Sequence, residues 1–188
     1  MIKEIQKKLE IGIVKKLDIS ENQVNNAYLA IGSNLGKIRK NLELSKFLLN
    51  SFGINILKSS SFYKTKSWPN KNFPDYLNIV IFISTNFELI ELYKKIKYIE
   101  KLLGRTKAPK NYPRICDIDI IDFNGINSLT NYKNEEIIIP HKNMHKRNFV
   151  LLPLYEINKD WIHPKYKKNI VNLLSKLSNI DLRSIKLI

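Results

Sequence analysis

The sequence holds a single cysteine, Cys116, so no disulfide can form within it. A chain without disulfides suits a reducing compartment, and Cys116 reads as a small core hydrophobe rather than a nucleophile. Long apolar runs are also missing: nothing approaches the roughly 18–20 residues that cross a bilayer. The N-terminus lacks the charged-then-apolar layout of a secretory signal. Its acids Glu4, Glu10, Asp18 and Glu21 do not suit a transit peptide. These absences predict a cytoplasmic protein with no membrane partner. Internal repeats and low-complexity linkers are lacking too, and 188 residues suit one domain with a sizeable core. With 44% apolar and 26% charged residues, wholesale disorder is excluded.

Acidic residues are scarce, 17 against 32 basic ones, which leaves a formal charge of +15. Such a balance points to nucleic acid, an anionic surface or phosphorylated small molecules. The excess is not an N-terminal tail, because residues 1–26 carry five lysines against four acids. Between Lys94 and Arg114, however, eight basic residues face only Glu100. Arginine is scarcer still. Of five in the chain, Arg105, Arg114 and Arg147 fall within 43 residues. A planar guanidinium grips two phosphate oxygens at once, which an ammonium cannot do.

Patterning predicts a loose or helical leader over 1–26, closed by Asn22, Asn25 and Asn26, and one domain over 27–188. A buried strand over Ala27–Ile31 runs through Gly32-Ser33-Asn34-Leu35-Gly36 into a helix with Ile38, Leu42, Ser45, Leu48 and Leu49 in phase. That turn lacks the lysine ending of a P-loop and reads as a strand-to-helix turn capped by Ser33 or Asn34. Ile54–Thr65 and Tyr76–Thr85 read as strands. Thr85 and Glu88 read as a capping box before a helix that ends at Gly104. Ile115–Phe123 reads as a strand, Asn124-Gly125 as a hairpin turn, and Ile137–Ile139 as a further strand. A short helix over Arg147–Ile157, interrupted near Pro153, and a C-terminal helix from Lys168 complete the chain. The order predicts an α+β fold of the split βαβ, ferredoxin-like kind, mainly antiparallel with helices packed on the sheet.

Asp117-Ile118-Asp119-Ile120 carries the chemistry. Alternation along a strand puts both carboxylates on one face. Two close carboxylates repel unless a cation lies between them, and Mg²⁺ favours one or two carboxylates with water and phosphate oxygens. The pair alone is equally the polar face of a half-buried strand. Arg105, Arg114, His141 and Arg147 nearby favour a magnesium–polyphosphate site. Zinc on His141 and His145 would need a cysteine pair or a His-Glu-x-x-His helix, and neither is present. Tyr76 and Asn78 share a strand face suited to stacking on a flat heterocycle and reading its edge. Trp68 and Phe149 are further aromatic candidates.

Six segments in unbroken order over residues 27–160 resemble the signatures of 6-hydroxymethyl-7,8-dihydropterin pyrophosphokinases. They are Ala30–Gly36, Ser61–Thr65, Pro74–Asn78, Ile99–Glu100 with Leu103–Arg105, Pro113–Arg114 with Asp117–Ile120, and Pro140–His141 through Phe149–Leu154. The resemblance implies transfer of pyrophosphate from ATP to the pterin hydroxymethyl group, releasing AMP, in folate biosynthesis. It implies two Mg²⁺ ions on Asp117 and Asp119, with Arg105 and Arg114 neutralising the transferred group. Glu100, Lys110, Arg114, His141 and Arg147 would bind ATP. Thr65, Trp68, Tyr76, Asn78 and Phe149 would bind the pterin. A monomer that binds no nucleic acid is expected. The sequence departs from the pattern at Lys110-Asn111-Tyr112, where many members carry an Arg-Trp pair. It departs again at Glu136, where a basic nucleotide contact is usual. Another Mg-dependent nucleotidyl or phosphoryl transferase is the alternative, and an RNA-binding module of the same fold a more distant one.

Overall fold

The structure, a computed structural model, describes residues 23–106, 109, 111–133 and 135–188. The leader expected over 1–26 therefore lies outside the described residues up to Asn22. Asn25 and Asn26, expected in its closing turn, instead begin the first strand.

Among the described residues, eight strands and five α-helices follow in the order β1 (Asn25–Ser33), α1 (Ile38–Ser51), β2 (Asn55–Ser59), β3 (Tyr63–Thr65), β4 (Tyr76–Thr85), α2 (Leu89–Leu102), β5 (Asp117–Phe123), β6 (Ser128–Tyr132), β7 (Glu135–Ile139), α3 (Asn148–Ile157), α4 (Ile170–Leu174), α5 (Asn179–Arg183) and β8 (Ile185–Leu187). The main sheet runs β5-β1-β4-β3-β8, with β2 also on β4, and every pairing is antiparallel. This is the expected ferredoxin-like arrangement, with β1 and β4 central. Among the described residues, no helix is long and apolar enough to cross a membrane.

Alternation along the strands decides what each sheet face covers. Leu29, Ile31, Leu77, Ile79, Ile81, Ile118 and Ile120 form one face. They pack with Leu42 and Leu49 of α1 and Leu92, Ile96 and Ile99 of α2. Burying each such side chain contributes about 1.5–3 kcal/mol. On the other face, Val80 and Ile121 meet Val150, Leu151 and Leu154 of α3 and Trp161, Ile170 and Leu173 beyond it.

Five local expectations are corrected. The strand over Ile54–Thr65 is two strands, because Ser60 turns the chain and bonds Val80 with both its backbone N–H and its hydroxyl oxygen. Thr85 and Glu88 form no capping box. Glu88 is the N-cap, with no side-chain bond, and the Thr85 hydroxyl donates to the Gly53 carbonyl instead. Asn124 and Gly125 turn with positive φ, yet the strand that follows pairs with β7 rather than β5. Past Lys168 the chain makes two short helices and β8 instead of one helix, since Ser178 caps a new start. Pro153 sits inside α3 without ending it.

Candidate active site

Register builds the site. Strand partners point to the same side of a sheet, so Tyr63, Asn78, Gly32 and Asp117 form one row across β3, β4, β1 and β5. The next row along β1 brings Val80, Ala30 and Asp119 together. The floor between the tyrosine-bearing strand and the aspartates is thus made by Ala30 and Gly32. A Cβ on Gly32 would lie 3.0 Å from Asn78 Oδ1 and 3.6 Å from the Tyr76 ring. Gly32 is therefore required for space, since its φ is not positive. The sequence carried one signal for this that went unread: a glycine inside a strand marks a close approach.

Asp117 accepts from Arg105 Nη1 at 2.5 Å and from Arg114 Nη1 at 2.7 Å. Burial pushes its carboxyl up, but Arg105 and Arg114, with Lys97 behind them, overrule that and hold it below the usual range. Asp119 is held more loosely, with Arg147 Nη1 at 3.5 Å and His141 Nε2 at 4.0 Å. Burial and the Arg147 charge push the His141 imidazole below its ordinary value, against the pull of Asp119.

Glu100 is 1% exposed at the back of this cluster. One of its oxygens takes the Ile118 N–H at 2.8 Å and pairs with Arg105, while the other takes Lys97 at 3.0 Å. Burial raises its pKa despite these cations. Its reach is inward, toward Arg105 and the start of β5, so it orients the guanidinium rather than opening to the cleft.

The Gly32–Gly36 turn does more than join β1 to α1. Lys37 is the N-cap of α1, with no side-chain bond, so neither Ser33 nor Asn34 caps it. Asn34, 1% exposed, takes the Arg114 N–H at 2.8 Å, gives its own N–H to the Arg114 carbonyl at 3.1 Å, and donates from its amide to the Pro74 carbonyl at 3.2 Å. It latches the segment carrying Arg114 to the loop before Tyr76. A cleft of about 170 Å³ opens beside it, lined by Leu35, Gly104, Arg105, Thr106, Pro113, Arg114 and Ile115. A larger hollow of about 310 Å³ lies at the other end of the sheet, around Tyr28, Phe82 and Asp122. There Asp122 already accepts from Gly125 N–H and Trp161 Nε1, and the Tyr28 hydroxyl from Asn158. The first opening, by contrast, is lined by the Arg105 and Arg114 side chains that pair with Asp117.

Residues 28–159 match the family model for 7,8-dihydro-6-hydroxymethylpterin-pyrophosphokinase. The chain belongs to this family. It is 37% identical over 134 residues to a Bacillus subtilis 2-amino-4-hydroxy-6-hydroxymethyldihydropteridine pyrophosphokinase, covering 71% of this chain and 78% of that protein. It is 34% identical over 176 residues to the folic acid synthesis protein fol1 of Pneumocystis carinii, covering 88% of this chain but only 22% of that protein. The chain thus spans about a fifth of the fungal relative. The fold is similar to wild-type Plasmodium falciparum HPPK-DHPS crystallised with pterin and p-hydroxybenzoate, with a TM-score of 0.71 at 17% identity, over 89% of this chain and 47% of that one.

Within this pyrophosphokinase fold, the residues expected at the site fall into three groups. Arg105, Arg114, Asp117, Asp119, His141 and Arg147 are brought into one charged cluster. Tyr76 and Asn78 stand across Gly32 from it, and Asn78 donates to the Thr65 hydroxyl at 3.0 Å. Phe149, in the first turn of α3, lies under the Arg147 guanidinium at 5.6 Å. Trp68 stands apart, 76% exposed on the loop between β3 and β4, with no ring contact among the described residues. Lys110 lies outside the described residues. Cys116 is fully buried and its thiol pKa is pushed up, as a core residue requires.

Proposed function

We propose that the protein transfers the terminal pyrophosphoryl group of ATP to the hydroxyl of 6-hydroxymethyl-7,8-dihydropterin. The hydroxymethyl oxygen bonds to the β-phosphorus and gives up its proton to water, the bond from that phosphorus to the oxygen shared with the α-phosphate breaks, and AMP leaves. One observation carries the reading: an Asp117–Asp119 pair framed by Arg105, Arg114 and Arg147 faces Tyr76 and Asn78 across a floor with no side chain at Gly32.

The donor set fits magnesium. Both aspartates offer hard oxygens on one strand face, and Asp119 is only loosely engaged. Two carboxylates suffice for such an ion, which completes its shell with water and phosphate oxygens. Two Mg²⁺ ions, held on Asp117 and Asp119, would supply charge neutralisation across the ATP phosphates and align them.

Arg105 and Arg114 grip the transferred group, where in-line displacement demands positioning and charge stabilisation more than covalent help from the protein. Glu100 and Asn34 hold these two arginines in place. Arg147 and His141 bind the nucleotide side, and Lys110 joins them. The pterin ring lies between Tyr76 and Phe149, with Asn78 and the Thr65 backbone reading its edge. Trp68, exposed on the loop that leads from β3 to β4, is the remaining aromatic assigned to the pterin. Both substrates meet in a cleft that one chain builds, so a monomer suffices.

A coupled assay for AMP tests the proposal. AMP release that depends on the hydroxymethyl-dihydropterin supports it. Release of ADP, or AMP formation indifferent to the pterin, would point to another nucleotidyl or phosphoryl transfer.

A further inference from the structure

The match to the family model stops at residue 159, and the described chain continues to Ile188. Its last stretch returns to the main sheet. Strand β8 adds to the sheet edge on β3, with Ile185 opposite Thr65, Lys186 opposite Lys64 and Leu187 opposite Tyr63. The Ile188 N–H continues the ladder to the Phe62 carbonyl at 3.0 Å. Just before β8, Asn148 reaches out from the first turn of α3 and donates its amide to the Asp181 carbonyl at 2.5 Å and the Ser184 hydroxyl at 3.0 Å. Ser184 in turn donates to the Asp181 carbonyl at 2.7 Å, so the acceptors are held together.

The two ends of this segment grip the two elements between which the pterin is proposed to lie. Thr65 holds the Asn78 amide through its hydroxyl. Asn148 immediately precedes Phe149, and its Oδ1 takes the Phe149 N–H at 2.7 Å. Farther along α3, Glu156 ties the helix to the same edge, accepting from the Ser61 N–H and hydroxyl and from the Tyr63 hydroxyl. That anchor sets the C-terminal end of the helix only. The N-terminal end, where Phe149 sits, is joined to the β3 edge through residues 181–188.

We propose that residues 178–188 act as a strap that sets the spacing between Phe149 and the Thr65–Asn78 edge, with Asn148 as its positioning residue. The strap thereby tunes affinity for the flat heterocyclic substrate without touching the reacting phosphates. This rests on the reading that the pterin lies between Tyr76 and Phe149. The strap's own bonds run to Asn148 and to the β3 edge, and none reaches the charged cluster, so the strap works through geometry and contributes no catalytic group.

Steady-state kinetics on the full chain test this. Asn148→Asp keeps an oxygen for the Phe149 N–H but removes the amide that donates to the strap. Replacing both Lys186 and Leu187 with proline breaks β8, because adjacent residues of a strand aim their N–H groups to opposite sides and one of the two must face β3. Each change should raise the KM for the pterin about five- to twentyfold, leave the KM for ATP within twofold, and leave kcat within threefold. Asn148→Ser, which retains a short donor and an acceptor, should recover part of the pterin affinity. Unchanged pterin KM in both the aspartate and the double-proline proteins, with Phe149→Ala still raising it, would overturn the strap. An unchanged pterin KM in Phe149→Ala would instead overturn the underlying placement of the ring. Loss of kcat in parallel with both KM values would mark the segment as general scaffolding and would also overturn the proposal.

Discussion

At the scale of single residues, Asp117 and Asp119 differ in a way their shared motif conceals. Replacing either with alanine should abolish turnover, because each removes a carboxylate from the proposed metal-phosphate site. Their effects on the ligand-free fold should diverge. Asp117 neutralises two guanidinium groups, so Asp117→Ala leaves both short of a partner and should cost about 1–2 kcal/mol. Asp119→Ala breaks only long contacts and should leave the melting point nearly unchanged. Thermal melts without ligand check this, and equal losses would show that the short ion pairs contribute nothing. Arg114→Ala should lower kcat by about 10²–10³, typical for one donor aimed at transition-state charge, and Arg114→Lys should recover only part. Gly32→Ala makes a different prediction. Its Cβ would press on Asn78 Oδ1 at 3.0 Å, so the pterin KM should rise about tenfold while the fold survives with a loss of roughly 1 kcal/mol. Wild-type pterin affinity in that variant would mean Asn78 moves aside at no cost.

Among the elements, those with a clean period were legible from sequence. Leu42 and Leu49 of α1, Leu92, Ile96 and Ile99 of α2, and the alternation of Asp117, Ile118, Asp119 and Ile120 along β5 all bury as their spacing requires. So did the placing of Arg105, Arg114 and the aspartates in one cluster, since a strand and the loop before it cannot lie far apart. What escaped was set by partners distant in sequence. Strand β8 is three residues long, too short for a period, and exists because β3 offers an open edge. Asn34 looked like a cap, and only the fold brings it to Arg114, 80 residues away. A bulge in β5 was also invisible: Leu29 pairs with Ile120 and Tyr28 with Asp122, so Ile121 is the extra residue. It is fully buried against α3. Ile121→Ala should therefore cost about 2–4 kcal/mol yet keep the melting rise induced by Mg-ATP, since Asp117 and Asp119 lie before the bulge. Denaturant titration with and without nucleotide reads both quantities. Loss of the nucleotide response would show that the bulge also sets the aspartates.

At the scale of the whole molecule, acid stability has a specific weak point. His163 is 2% exposed, and its Nδ1 accepts the N–H groups of Lys165 and Tyr166, a role open only to the neutral ring. Burial, with His145 beside it, pushes its pKa down to about 4. Between the ordinary value near 6.5 and about 4, the unfolded chain binds the proton and the folded chain does not. Stability is thus full above pH 6.5 and falls as the pH drops through that window, by roughly 3 kcal/mol. Urea titrations at pH 7.5 and pH 4.5 should show this, and His163→Gln should flatten the difference. The net charge of +15 suggests a molecule hungry for anions, yet its most useful cations are already engaged at rest. Arg105 and Arg114 rest on Asp117, so at the proposed site admitting a polyphosphate would be a trade of one anionic host for another rather than a simple capture. An aspartate neutralised by an incoming ion would release its guanidinium partners at the moment the phosphates arrive, which makes metal and nucleotide entry mutually dependent. In EDTA, the wild-type protein should bind ATP poorly, because its arginines stay home. Asp117→Ala, dead as a catalyst, should bind that metal-free ATP several-fold more tightly, and isothermal titration that finds it weaker would show the two guanidinium groups were never the nucleotide's receivers.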